Sequence, residues 1–66
     1  MKIRINGKDT AITGALTLRE FIAGRNIDIK IIVVEYNGKI VRKDRLDNIV
    51  LKDGDTVEII NFVGGG

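Results

Sequence analysis

Asparagine precedes glycine twice in this chain, at Asn6-Gly7 and Asn37-Gly38, each time between short segments of alternating or β-branched residues. A two-residue hairpin loop that matches the twist of its strands needs positive φ at both loop positions, which asparagine tolerates and glycine adopts freely. Before the first pair Met1, Ile3 and Ile5 alternate with Lys2, Arg4 and Asn6; after it, Lys8 to Ile12 returns antiparallel. The second pair joins a strand over Lys30 to Tyr36 to a short one over Lys39 to Val41. Twelve isoleucines and six valines against four leucines favour a pleated sheet over a helix as the home of the core. Two hairpins commit the chain to a sheet, and 66 residues leave room for one small domain.

Between the hairpins, Thr17-Leu18-Arg19-Glu20 has the capping-box spacing, in which Thr17 accepts from the Glu20 amide and Glu20 reaches back to the Thr17 amide. Leu16 and Phe21 occupy the staple positions, Leu18, Phe21 and Ile22 share a face, and Gly24 to Asn26 offers a left-handed stop. This predicts a helix of about two turns. Residues 42–52 read as irregular, with Leu46, Ile49, Val50 and Leu51 turned inward; Asp53-Gly54 then turns into a last strand, Asp55 to Phe62. The order ββαβββ, with the final strand free to insert beside the first, predicts an α+β chain of β-grasp (ubiquitin-like) architecture: a five-stranded mixed sheet wrapped on one helix. The domain spans residues 1–62, and residues 63–66 form a glycine-rich tail.

The chain has no cysteine, histidine, serine, proline or tryptophan. That excludes a Ser/His/Asp triad, a thiol nucleophile, a disulfide framework and an ordinary thiolate or imidazole zinc site. The longest uninterrupted apolar run, Ile31 to Val34, is far short of the ~20 residues of a membrane span. The alternating N-terminus lacks the apolar stretch of a secretory signal, so the expected location is cytoplasmic. A net charge of +2 demands no nucleic-acid partner. Lys39, Arg42, Lys43 and Arg45 form a basic cluster interrupted by Asp44 and Asp47, read as a solvated edge. Asp53 and Asp55 are explained by turn chemistry, and no metal site is expected.

The most informative feature is the ending Gly64-Gly65-Gly66. Three glycines have no side chain to bury and lose the most backbone entropy on ordering, so any value they have lies outside the fold, the alternative being a merely disordered end. A tail without side chains is thin enough to enter a narrow channel. At ~3.3–3.6 Å per residue, Val63 to Gly66 would carry a terminal carboxylate roughly 13 Å from the domain. Such a flexible tail can present its carboxylate, ionised at neutral pH, to a bound nucleotide.

The β-grasp order, Asn37-Gly38-Lys39-Ile40-Val41, Asp53-Gly54-Asp55-Thr56-Val57-Glu58-Ile59 and the ending Phe62-Val63-Gly64-Gly65-Gly66 resemble the thiamine-biosynthesis sulfur carrier (ThiS) family along the whole chain. The chain departs from that family in reading Val41-Arg42-Lys43-Asp44-Arg45 where a proline-arginine pair and an aromatic often follow. The resemblance implies that Gly66, led by Gly65 and Gly64, is adenylated by an E1-like (ThiF-like) adenylyltransferase and converted to a thiocarboxylate. A sulfur donor such as a cysteine desulfurase supplies the sulfur, and thiazole synthase (ThiG-like) receives it. ATP and magnesium then belong to the activating partner; the chain needs no cofactor of its own and is a protein cosubstrate, not an enzyme. The molybdopterin-synthase small subunits (MoaD) share the fold and the chemistry but carry paired prolines before their glycines. A ubiquitin-like protein modifier and a nucleic-acid-binding β-grasp module remain as alternatives.

Strand alternation adds a docking surface. If Val57 and Ile59 face the helix, Glu58, Ile60 and Phe62 face the other side of the sheet. With Val33 on a neighbouring strand, Ile60 and Phe62 form an apolar patch at the root of the tail, suited to the activating enzyme.

Overall fold

Both Asn-Gly pairs form the turns their backbone chemistry predicts. The computed structural model of the chain describes residues 1–61; Phe62 and residues 63–66 lie outside the described residues, and so does the expectation that the last strand ends at Phe62. Strand β1 (Lys2–Ile5) returns as β2 (Lys8–Ala11) with Ile5 opposite Lys8. Asn6 and Gly7 close the loop at φ 49° and 83°. The second loop repeats this between β3 (Ile32–Tyr36) and β4 (Lys39–Val41), with Asn37 and Gly38 at φ 50° and 87°. The left-handed conformation at both positions is what a strand-matched two-residue loop requires.

Helix α1 (Leu18–Gly24) starts at Thr17, whose hydroxyl accepts from the Glu20 amide at 3.1 Å while the Glu20 carboxylate accepts from the Thr17 amide at 2.8 Å. These contacts satisfy two donors that a helix start would otherwise leave unpaired. The helix stops before Asn26, whose φ of 58° ends the right-handed run. Leu18, Phe21 and Ile22 are buried against the sheet, together with Ile3 and Ile5 of β1, Ile32 and Val34 of β3, and Val57 of the last strand.

The last strand, β5 (Thr56–Asn61), lies between the two hairpins in the order β2-β1-β5-β3-β4, parallel to β1 and antiparallel to β3. The five-stranded mixed sheet with one helix is the predicted β-grasp. Each hairpin turn also grips β5. The Asn6 side-chain oxygen accepts from the Ile59 amide at 2.8 Å, and that of Asn37 accepts from the Thr56 amide at 2.8 Å. Asp53 accepts from the Lys2 amide at 2.8 Å, which holds the turn before β5 to the start of β1.

Four details differ from expectation. Lys30 and Ile31 belong to a 3-10 turn (Ile29–Ile31) and not to β3, because the Asp28 carboxylate caps the Lys30 amide at 2.9 Å. Lys43–Asn48 is a 3-10 helix and not irregular, with Leu46 buried beneath α1. Residues 49–51 run extended beside the helix start, where Leu18 donates to the Ile49 carbonyl and Leu51 to that of Leu16. Side chains alternate in such a segment, so Val50 points out, 51% exposed, between the inward Ile49 and Leu51. Finally, Asp55 precedes the strand and is the buried polar side chain among the described residues, 6% exposed.

Asp55 survives burial because three donors meet its carboxylate: the Tyr36 hydroxyl at 2.6 Å, the Lys52 amide at 2.7 Å and the Asn37 side-chain amide at 3.2 Å. Burial alone would push the carboxyl up, but these hydrogen bonds outweigh it and hold the group below its ordinary range. Burial, with the Asp55 hydrogen bond and charge, pushes the Tyr36 hydroxyl up to about 12. Because the folded carboxyl is the stronger acid, its contribution to stability is full above the ordinary carboxyl value of about 4 and is lost as pH falls through the lower folded value. Because the folded phenol is the weaker acid, its contribution is full below about 10 and is lost as pH rises through about 12. Asp55→Asn is expected to lower the unfolding free energy at pH 7 by about 1–3 kcal/mol and to flatten the acid limb. Urea titrations between about pH 2 and pH 8 check both; an unchanged acid limb would remove Asp55 from this role.

Candidate functional site

The alternation of β3 and β5 fixes what the open face of the sheet presents. In the antiparallel register Val33 stands opposite Ile60 and Glu35 opposite Glu58; on the far side of β3, Ile40 stands opposite Glu35. Val57 faces the core and is buried, Ile59 packs against the core's margin, and Ile60 is 45% exposed. Val33 is half-buried beside it. Two of the three residues expected in the patch, Val33 and Ile60, are therefore direct cross-strand neighbours. The third, Phe62, lies outside the described residues, as do Gly64, Gly65 and Gly66.

Register adds what the sequence reading missed. Ile40, 72% exposed on the edge strand, extends the apolar part of this face. Glu35 and Glu58 are like charges directly opposite one another, an arrangement that weakens a sheet. The signal for both is the pairing of β3 with its neighbours, which single-strand periodicity does not contain. The described chain ends with Asn61 opposite Ile32, so β5 leads to Phe62 and the glycines from the end of the sheet where β3 begins.

The basic cluster occupies another place, the outer side of β4 and the 3-10 helix after it. Arg42 pairs with Asp44 at 3.0 Å, and the Lys43 ammonium donates to the Lys30 carbonyl at 2.9 Å. Asp47 does not interrupt the cluster, since it turns to Arg19 on the helix at 3.6 Å. A groove of about 520 Å³ lies between β4 and the 3-10 helix.

The other candidates resolve locally. Asp53 and Asp55 take separate backbone and side-chain donors and do not converge. Among the described residues no three His, Cys, Asp or Glu side chains come together as metal ligands. No described helix is long and apolar enough to cross a membrane. The Tyr36 hydroxyl, the phenol in the chain, is committed to Asp55. What the described residues present is an open sheet face with Val33 and Ile60 as cross-strand neighbours on β3 and β5, the strand that precedes Phe62 and the glycines in the sequence.

The chain is similar to known proteins along its whole length. The profile of the ThiS family matches residues 3–66, through the last glycine. The chain is 39% identical over 67 aligned residues to the sulfur carrier protein ThiS of Bacillus subtilis (strain 168), covering 97% of this chain and 98% of that one. It is 33% identical, along its full length, to part of a thiazole synthase of Paramagnetospirillum magneticum, of which it spans 20%. The crystal structure of the thiamine biosynthesis protein ThiS from Geobacter metallireducens superposes with a TM-score of 0.87 at 32% identity, covering both chains completely. A β-grasp sheet whose central strand feeds a glycine ending, and whose sequence matches through that ending, belongs to the ThiS family.

Proposed function

We propose that this chain is the sulfur carrier for thiazole formation in thiamine biosynthesis and that the sulfur rides on the carboxyl carbon of Gly66. The observation that carries the reading is the family match through residue 66. The relatives are thiamine proteins, which favours this pathway over the molybdopterin one that the fold alone leaves open.

The chemistry asks little of the chain. The Gly66 carboxylate attacks the α-phosphorus of ATP in an E1-like partner, pyrophosphate leaves, and the carboxyl carbon becomes an electrophilic acyl adenylate. A protein persulfide, supplied by a donor such as a cysteine desulfurase, displaces AMP. Cleavage of the resulting S–S bond by a second thiol leaves the thiocarboxylate. Thiazole synthase takes the sulfur, the C–S bond breaks, and an oxygen from water or the sulfur-accepting substrate restores the carboxylate. The partner's magnesium and basic groups screen the charges in the first step, so the carrier needs no acid, base or nucleophile besides its own terminus. Absence of cysteine suits this role, because no thiol competes for the sulfur.

Two expectations follow from the reading. Removal of Gly65 and Gly66 leaves the melting temperature nearly unchanged and abolishes adenylation. In the intact protein, incubation with ATP, magnesium, the activating enzyme and a sulfur donor raises the mass by the difference between one sulfur and one oxygen, with fragmentation placing the change on Gly66. Oxidation of Met1 adds a similar nominal mass, so a change confined to Met1, or adenylation of the truncated chain, would refute the assignment.

The Val33–Ile60 pair, with Phe62 beyond it, is the proposed dock for the activating enzyme. Phe62→Ala and Ile60→Ala are each expected to weaken that complex by on the order of 2 kcal/mol. For Ile60→Ala, which removes an exposed side chain, folding stability should move by only about 0.5 kcal/mol. Calorimetric titration against chemical denaturation separates the two effects; undiminished affinity in both variants would move the dock elsewhere.

A further inference from the structure

We propose that the β4 edge, where Lys39, Arg42 and Arg45 surround an apolar groove, docks an acidic segment of the thiazole synthase that receives sulfur from the carrier. The proposal rests on the carrier reading above and concerns the edge strand, whose Ile40 borders both this groove and the face that holds the Val33–Ile60 pair, while Lys39 and Arg45 line the groove and not that pair.

Charge is concentrated here. Residues 39–45 hold four basic side chains and one acidic, a surplus of four minus one, or +3, against +2 for the whole chain. The structure removes the neutralisation that the sequence suggests, because Asp47 turns away to Arg19 and Asp44 alone faces the cluster, paired to Arg42. Among the described residues Lys39 and Arg45 have no carboxylate within ion-pair distance, and both are exposed. Between the cations the groove of about 520 Å³ is floored by Tyr36, Val41 and Ile49. β4 ends the sheet, so its outer backbone edge has no neighbouring strand among the described residues.

An extended protein segment with acidic side chains fits these features: carboxylates meet the rim cations, and apolar residues cover the floor. A nucleic acid fits less well. Three cations neutralise few phosphates, and Tyr36, the aromatic in the groove, lies along its floor with its hydroxyl tied to Asp55.

The occupant follows from the relatives. In the Paramagnetospirillum thiazole synthase, a region similar to this whole chain lies within the synthase polypeptide. Tethering of that kind holds two sites at a high effective concentration without any docking surface. The Bacillus carrier, matched over 98% of its length, has no such tether, and a carrier of that kind must replace it by affinity. The surface that supplies the affinity must remain available while the tail occupies the synthase. The β4 edge meets that condition, since it lies on a different strand from the one that leads into the glycines.

The test is the double charge reversal Lys39→Glu/Arg45→Glu in the full chain, with Lys39→Gln/Arg45→Gln as the milder companion. Binding to purified thiazole synthase is measured at several salt concentrations, and the KM of the carrier for adenylation is measured with the activating enzyme. The expected result is at least a tenfold rise in Kd for the synthase with the reversal and a smaller rise with the glutamines. Wild-type affinity should fall with salt, and the reversal should lose that dependence. The adenylation KM should stay within about twofold of wild type. Unchanged synthase affinity, equal losses toward both enzymes, loss confined to the activating enzyme, or RNA binding abolished by the reversal would each overturn the proposal. Failure of the wild-type chain to be adenylated at all would instead refute the carrier reading.

Discussion

The whole arrangement depends on how the last strand is held. β5 joins the sheet from a distant part of the chain and pairs with both hairpins, so its position decides whether there is one sheet or two isolated hairpins, which would be marginal in water. Backbone pairing supplies most of the bonds, and side chains set the register. Asn6 and Asn37, each already required by its turn, place their side-chain oxygens on β5 amides at Ile59 and Thr56. Asp55 completes the clasp by drawing Tyr36, Asn37 and Lys52 onto one carboxylate. A slip of one residue would break these bonds and also turn Val57 and Ile59 away from the helix. The same interactions that close the fold therefore fix which face Ile60 presents beside Val33, and from which end of the sheet the tail departs.

That coupling matters for the carrier role proposed above, in which the protein works through its terminus. In that role a side-chain-free tail is drawn into an active site, and the strand before it must not fray as this happens. Packing of the buried Val57 and the clasp at Asp55 anchor β5 at its start. The glycines can then be surrendered to a partner without loosening the core.

Local chemistry made most of the fold legible in the sequence. The Asn-Gly turns, the Thr17–Glu20 capping box and the alternation in β1 and β5 each rest on neighbours in the chain, and each appears in the structure. Features set by distant contacts were less legible. The cap of Asp28 on Lys30 shortened β3, the pairing of residues 16–18 with 49–51 turned Val50 outward, and the burial of Asp55 required partners from β3 and its turn. The candidate site divides in the same way. Val33 and Ile60 could be placed on one face by periodicity, but their direct opposition, the addition of Ile40 and the opposed Glu35 and Glu58 depend on register. The tail glycines were legible by what they cannot do for stability, and the role proposed for them rests on the family match through residue 66.

The charges on this surface are best understood as features of a shuttle. Opposed glutamates on adjacent strands disfavour the sheet that carries them, by roughly 0.2–1 kcal/mol for a directly facing pair. A cation brought by a partner would offset that repulsion, so the opposed glutamates on β3 and β5 and the basic β4 edge invite groups of opposite sign. A single-sign protein would meet one class of partner well and repel the other. A carrier that must be loaded by one enzyme and emptied by another is served by having both signs on separate elements, with the chemically reactive atom on neither. Discrimination between partners can then reside in β3, β4 and β5, while a side-chain-free tail fits every active site it must enter.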